Sequence, residues 1–308
     1  MQEMSVDLSV NLAGIDMKNP VMVASGTFGY GEEYSQFFDL GNLGAIVTKS
    51  ITLAPRAGNR PPRLYETPSG MLNAIGLQNV GLDRFIHEKM VFLRKIGIPI
   101  IVSISGEEVS EYAEIASRLS DIDGISGIEL NISCPNVSKG GMLFGSDAQV
   151  TYDLVKSIRR STDLPLIVKL SPNVTSITDI AVAAENGGAD AISLINTVLG
   201  MSVDINTGKP RLGNITGGLS GPAIRPIAVR MVWQVVSAVK SPVIGMGGIM
   251  TADDALEFLI TGAKAVAIGT ANFVNPIAVM EVIDGIKKFM NQKCISNIND
   301  LIGTLIDD

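Results

Sequence analysis

A short run of β-branched residues, followed by turn residues and then by a helix-spaced apolar face, recurs eight times along this chain. The runs are Val21–Thr27, Ala45–Ile51, Pro99–Gly106, Gly127–Pro135, Pro165–Pro172, Ala191–Val198, Pro242–Ile249 and Ala265–Ala271. Alternating strand and helix imply a parallel sheet, because a crossover helix returns the chain to start the next strand in the same direction. Eight such units imply closure into a (β/α)8 TIM barrel. An open doubly wound sheet is the competing arrangement. It would bring a Gly-rich fingerprint after the first strand, and Ser25-Gly26-Thr27-Phe28-Gly29 supplies none.

The pattern also marks helix faces and helix starts. Val109, Tyr112, Ala113, Ala116 and Leu119 share one face at helical spacing. Ser105 with Glu108, and Thr251 with Asp254, have capping-box spacing. With 308 residues, 46% hydrophobic and 18% charged, the chain can bury strands on both faces, and a single domain over residues 1–308 is expected. Three pieces lie outside the repeat. Val6, Leu8, Val10 and Leu12 alternate with polar residues before Ala13-Gly14, which predicts a β-hairpin on the barrel floor. Thr52–Val80 and Leu199–Ser220 are long loops after strands two and six, on the face where barrel active sites lie.

Charge and cysteine usage remove several classes of function. The net charge is −7 and no run of Lys and Arg occurs, so no nucleic-acid partner is expected. No stretch of about 18 uncharged apolar residues suggests a membrane span. The first residues are acidic and lack the apolar core of a signal peptide. Two cysteines, Cys134 and Cys294, are too few for a disulfide framework, and a cytoplasmic protein is expected.

Chemically capable residues gather where the strands end: Ser25, Lys49, Asn131 with Cys134, Lys169, Asn196 with Thr197, Gly247-Gly248 and Gly269-Thr270. A lysine within a buried strand is costly unless an anion pairs with it. For Lys49 and Lys169 that anion is either a ligand or a barrel carboxylate such as Glu129. Gly245-Met246-Gly247-Gly248-Ile249 and Ile268-Gly269-Thr270-Ala271 close strands seven and eight, the recurrent phosphate site of barrel enzymes. The only histidine, His87, has helical spacing from its apolar neighbours, so a His-based metal cluster or a Ser/His/Asp triad is poorly supported and no metal is expected. If the site needs a base, Cys134 in its polar loop is the best candidate; Cys294 reads as structural.

Asn131-Ile132-Ser133-Cys134-Pro135-Asn136 resembles the catalytic loop of the cytosolic, class 1 dihydroorotate dehydrogenases. Arg63–Gly81 and Ile195-Asn196-Thr197 resemble their substrate-binding segments, and the glycine motifs at 217–221, 245–249 and 268–270 resemble their FMN site. Glu66–Asn73 and Gly218–Ile224 look like the 1B branch. The resemblance implies oxidation of (S)-dihydroorotate to orotate in pyrimidine biosynthesis, with Cys134 as catalytic base. It implies FMN held by Ser25, Lys49, Ser50, Ser103, Asn131, Lys169, Ile195, Gly221, Gly247, Gly248, Gly269 and Thr270. Substrate would be held by Lys49, Asn73, Ala74, Ile75, Gly76, Leu77, Asn131, Asn196 and Thr197. Ser103 stands where the family usually has Asn, keeping a hydroxyl with shorter reach. The branch also implies a homodimer core within a heterotetramer, whose electron-transfer subunit carries FAD and a [2Fe–2S] cluster and passes electrons to NAD.

Three other readings remain at this level. A sister FMN barrel acting on tRNA uridines should be basic, and this chain is acidic. A cofactor-free phosphate-binding isomerase would explain the late glycines and leave the Cys134 loop idle. A barrel serving only as a scaffold would not reduce flavin with dihydroorotate.

Overall fold

The computed structural model describes residues 5–132 and 144–306. Eight parallel strands close a barrel: Val21–Val23 (β1), Ala45–Val47 (β2), Ile100–Ile104 (β3), Gly127–Asn131 (β4), Leu166–Lys169 (β5), Ala191–Leu194 (β6), Val243–Met246 (β7) and Ala265–Ile268 (β8). They pair in chain order, and β8 pairs back onto β1 through Val266↔Val21 and Ile268↔Val23. Closure leaves no edge, so both faces of each strand are covered. Val21–Val23 and Ile100–Ile104 are buried at every position for that reason.

Helices wrap the barrel: residues 82–93 (α1), Val109–Ser120 (α2), Ala148–Arg159 (α3), Ile177–Asn186 (α4), Arg225–Val236 (α5), Ala252–Ile260 (α6), Ala271–Val274 (α7) and Ala278–Gln292 (α8). On α2, Tyr112, Ile115, Ala116 and Leu119 are buried, the apolar face that the spacing predicts. Thr251 and Asp254 form the expected capping box at the start of α6. The other expected cap shifts: Glu108 with Glu111 caps α2, not Ser105 with Glu108. Ser105 is still tied to the barrel, its N–H donating to the Ile51 carbonyl, so the helix can begin only after Gly106.

The first unit departs from the repeat. Between β1 and β2 lie turns and one 3-10 turn, Leu40–Asn42, instead of an α-helix. Gly29 and Gly31 adopt φ of 57° and 89°, which an α-helix does not admit, and Phe28 instead stacks on Tyr34 with ring centroids 4.0 Å apart. The amino-terminal hairpin pairs Val10–Leu12 with Ile15–Met17 across Ala13-Gly14, both at positive φ. Ile15 packs beside Gly127 and Met17 beside Gly44, at the amino ends of β4 and β2, so the hairpin covers the floor as expected.

The two long loops are ordered by pairing with each other. A four-stranded antiparallel sheet runs Val198–Gly200, Gly217–Ser220, Gly70–Asn73, Leu64–Thr67. Two strands come from each insertion, with Gly218 opposite Asn73 and Ser220 opposite Met71. This sheet stands over the carboxyl rim of the barrel as a lid.

Helix α6 lies close on β7 because Gly245 has no side chain: a Cβ there would come within 2.6 Å of the Phe258 ring. Gly245→Ala is expected to cost about 1–3 kcal/mol through overpacking. Denaturant unfolding of the purified protein checks this, and an unchanged midpoint would mean the interface yields freely.

Candidate active site

Trimming the expected strands to the observed ladders removes mostly residues at their carboxyl ends, and these residues build the site. β1 stops at Val23, leaving Ser25 free of the ladder, and β2 stops at Val47, leaving Lys49 and Ser50. Together with the lid they enclose a cavity of about 620 Å³ at the carboxyl rim. Such a volume is typical of small-molecule and cofactor sites.

The cavity brings together the residues that the sequence nominates, with two exceptions. Ser25, Lys49, Ser50, Asn131, Lys169 and Ile195 line its floor and walls. Gly221, Gly247, Gly248, Gly269 and Thr270 line the side formed by β7 and β8. Asn73, Ala74, Ile75, Gly76 and Leu77 come from the lid and the segment after it, with Asn196 and Thr197 from the end of β6. Ser103 does not reach the wall. It is fully buried, and its hydroxyl lies 2.8 Å from that of Ser50. Cys134 lies outside the described residues, as do the other residues of its loop from Ser133 to Asn136. His87 is exposed on α1 and Cys294 is an exposed free cysteine.

One polar chain sets the floor. Ser50 Oγ sits 3.2 Å from Ser25 Oγ and accepts from Asn131 Nδ2 at 3.2 Å. Ser103 therefore acts one step behind the wall, through Ser50. On the opposite side Thr270 Oγ1 donates to Ser220 Oγ at 2.8 Å, tying the end of β8 to the lid. Within the lid Asn73 Nδ2 donates to the Gly218 carbonyl at 3.1 Å.

Gly247 and Gly248 adopt φ of 129° and 77°. A Cβ on Gly248 would come within 2.7 Å of Arg225 Cβ and 2.8 Å of the Gly221 carbonyl oxygen. Backbone from β7, the end of the lid and the start of α5 thus converge with no room for a side chain. Arg225 holds this corner through ion pairs with Asp254 and Glu257 on α6. Convergent glycine backbone beside a roomy cavity is the form of a phosphate cradle.

Lys49 and Lys169 both line the cavity. Among the described residues neither ammonium forms an ion pair with a carboxylate, Glu129 included. Burial, and secondarily the positive charge of Arg63, hold the Lys49 pKa below the ordinary lysine value. Lys169 is 5% exposed. A half-buried and a buried cation facing one cavity, neither in an ion pair among the described residues, form a receptor for an anionic ligand. Among the described residues no group of three or more His, Cys, Asp or Glu could hold a metal.

Sequence reasoning missed part of the wall. Arg56 and Asn59 reach it from the first insertion, Asn214 and Thr216 from the second, and Phe273 from α7. Nothing in local spacing marks them, because they arrive through the pairing of the two insertions. Ser220, within the Gly-Leu-Ser-Gly run, was the legible one.

An anion that binds charged Lys49 raises its pKa again. Affinity is therefore level below the free-protein pKa of Lys49 and falls as pH rises through it. Orotate is expected to follow that profile in calorimetric titrations at increasing pH, and Lys49→Met to lose affinity together with the Lys49 part of the alkaline decline. An identical alkaline profile in both proteins would remove Lys49 from the anion site.

Comparison with known proteins agrees with this geometry. A family profile described as "Dihydroorotate dehydrogenase" matches residues 7–290. A protein of Geotalea uraniireducens (strain Rf4), named "Dihydroorotate dehydrogenase B (NAD(+)), catalytic subunit", is 55% identical over 300 residues, covering 97% of this chain and 98% of the relative. Proteins of the same name from Desulforamulus reducens and Thermoanaerobacter sp. (strain X514) are 56% and 55% identical, each covering 97% of this chain and 99% of the relative. The profile spans the whole barrel and the likeness runs almost end to end, so the chain belongs to the dihydroorotate dehydrogenase family.

Proposed function

We propose that this chain is the catalytic subunit of an NAD-linked dihydroorotate dehydrogenase, a single FMN-binding barrel domain over residues 1–308 that oxidises (S)-dihydroorotate to orotate in pyrimidine biosynthesis. One observation carries the reading: a glycine cradle at β7 and β8 opens into the same lidded cavity as Lys49 and Lys169, neither of which forms an ion pair among the described residues. The cradle fits the FMN phosphate, since backbone at Gly247, Gly248 and Gly221, packed too closely for side chains, lines the cavity together with Gly269 and Thr270. Bound there, FMN supplies the hydride acceptor.

The chain's own residues supply the rest. Cys134 takes the proton from substrate C5 while hydride leaves C6, so the two departures together form the C5–C6 double bond. Asn131 lines the cavity three residues before Cys134, and chain length alone keeps their Cα atoms within about 11 Å. Asn73, Asn131, Asn196 and Thr197 hold the amide edges and carboxylate of the substrate, with the backbone from Ala74 to Leu77. Lys49 bears on the ligand anions. Lys169 stabilises the negative charge that develops at the cofactor ring, the kind of preorganised interaction commonly worth about 3–4 kcal/mol. The lid excludes water, which strengthens both charges.

Electrons then leave through a second subunit carrying FAD and a [2Fe–2S] cluster, which reduces NAD. The relatives' name, "catalytic subunit", supports that division of labour. Leu199, Met201, Val203 and Ile205 on the second insertion are exposed, Ile205 by 89%. This apolar ridge supports contact with further chains, which we read as a homodimer core within a heterotetramer. A cytoplasmic setting follows from the use of NAD, and among the described residues no helix is long and apolar enough to cross a membrane.

Anaerobic dihydroorotate should bleach the flavin of the purified yellow protein. Cys134→Ser should keep FMN and bind orotate yet bleach several orders of magnitude more slowly at neutral pH, because a serine hydroxyl is a far weaker acid than a thiol. Cys294→Ser should match wild type. Near-normal bleaching by FMN-loaded Cys134→Ser would end the cysteine-base mechanism.

FMN retention has its own test. A Cβ on Gly269 meets nothing closer than 3.7 Å, so Gly269→Val should fold while its side chain crowds the cofactor space. Gly248→Val would strain a backbone at φ 77° and cannot separate the two effects. Gly269→Val with normal melting and full FMN after desalting would move the phosphate elsewhere.

A further inference from the structure

Below the cavity floor the barrel interior carries a polar layer where apolar packing is the norm. Lys169 pairs in register with Asn131 on one side and Ser193 on the other, and paired residues share a face. Lys169 and Asn131 line the cavity, so all three point inward. Glu129, two residues before Asn131 on β4, shares that inward face one level down. It is 1% exposed.

Its side-chain hydrogen-bond partner among the described residues lies two strands away. Ser193 Oγ on β6 donates to Glu129 Oε2 at 3.1 Å. β5 lies between these strands, so the Glu129 side chain crosses the inward face of β5 between the levels of Ile167 and Lys169. The second oxygen, Oε1, is buried without a hydrogen-bond partner among the described residues. A buried, half-satisfied carboxylate is expensive, and such a group calls for a specific explanation. Lys169 is the cation one level up on the neighbouring strand β5, and the two form no direct ion pair.

We propose that Glu129 is a positioning residue that acts through Lys169. Its carboxylate, fixed by Ser193, is the buried counter-charge of the Lys169 ammonium, joined to it from Oε1 through one bridging water. The pair holds the ammonium up toward the cofactor ring instead of letting the four-carbon stem fold down into the polar layer. Water suits this place because both ends are polar and the gap exceeds a direct contact. The mechanism above assigns Glu129 no part, and this role rests on the reading that FMN occupies the cavity.

The test is the midpoint potential of FMN in the holoenzyme, measured by anaerobic dye-coupled titration. Glu129→Asp keeps the charge but withdraws it by one methylene, so it isolates aim from field. Its potential should shift to more negative values, because Lys169 then stabilises the reduced ring less. In a Lys169→Ala background the same substitution should produce no further shift. Ser193→Ala, which frees the carboxylate without altering charge, should shift the potential in the same direction and serves as the readout if Glu129→Asp does not fold. An FMN-loaded variant with the wild-type potential, or a shift of equal size with and without Lys169, overturns the proposal. Wild-type protein that purifies without flavin would instead sink the FMN reading itself, so the two failures are distinguishable.

Discussion

Closure of the parallel ladder is the constraint on which the rest depends. Once Val266 pairs with Val21, every barrel strand has two neighbours and the sheet has no edge to protect. All eight carboxyl ends then arrive at one rim, whatever their separation in sequence. Ser25, Lys49, Asn131, Lys169 and Thr270 span most of the chain and become neighbours only through that closure. The ladders end just before Ser25, Lys49 and Thr270, whereas Asn131 and Lys169 are the last paired residues of β4 and β5. Short strands are therefore part of the site's construction.

The lid depends on the barrel in turn. Neither insertion could form a stable sheet alone, since an isolated two-stranded ribbon is marginal in water. Strands two and six hold their insertions over the same rim, and pairing Gly217–Ser220 with Gly70–Asn73 joins them. Glycine permits the close approach: a Cβ on Gly70 would lie 2.1 Å from the Ser220 carbonyl oxygen. Beyond the lid, Leu77 holds φ 54° next to Gly76 at φ 75°. A left-handed leucine is a costly conformation that surrounding structure must enforce, and such positions concentrate at binding sites.

Much of this was legible from residues alone, and what was not has physical causes. Periodicity shows the barrel because strand and helix differ in period, and Thr251 with Asp254 marks a helix start because capping is local. The missing helix after β1 was hidden, since the backbone conformations of Gly29 and Gly31 carry no signature in hydropathy. Ser105 misled because it has the spacing of a cap while its backbone remains bound to Ile51. The buried lysines stood out at Lys49 and Lys169, since charge inside a strand is rare. Ser103 looked like a wall residue, and only the three-dimensional chain through Ser50 shows that it stands behind the wall. Arg56 and Asn214 enter through long-range pairing of two loops, which no local pattern encodes.

The electrostatics of the site follow from the same architecture. A barrel interior offers few groups to neutralise a charge, and burying an ammonium without a partner costs several kcal/mol. Burial and the field of Arg63 both disfavour charged Lys49, the first more than the second. An anion entering the cavity relieves the deficit of Lys49, so part of its binding free energy is stabilisation of a group the empty fold holds unfavourably. The same anion therefore raises the stability of the folded chain by mass action, in proportion to its concentration over its dissociation constant. On the proposed function, phosphate, carboxylate and charge developing at the cofactor ring make three distinct demands, and the chain would answer them with different means. Backbone amides at the glycine cradle would meet a permanent charge without titrating. Lys49 and Lys169 supply full charges in a dry site where each counts for more than in water. A fold that paired Lys49 to one of its own carboxylates would be easier to stabilise, and it would have less to offer an anionic ligand.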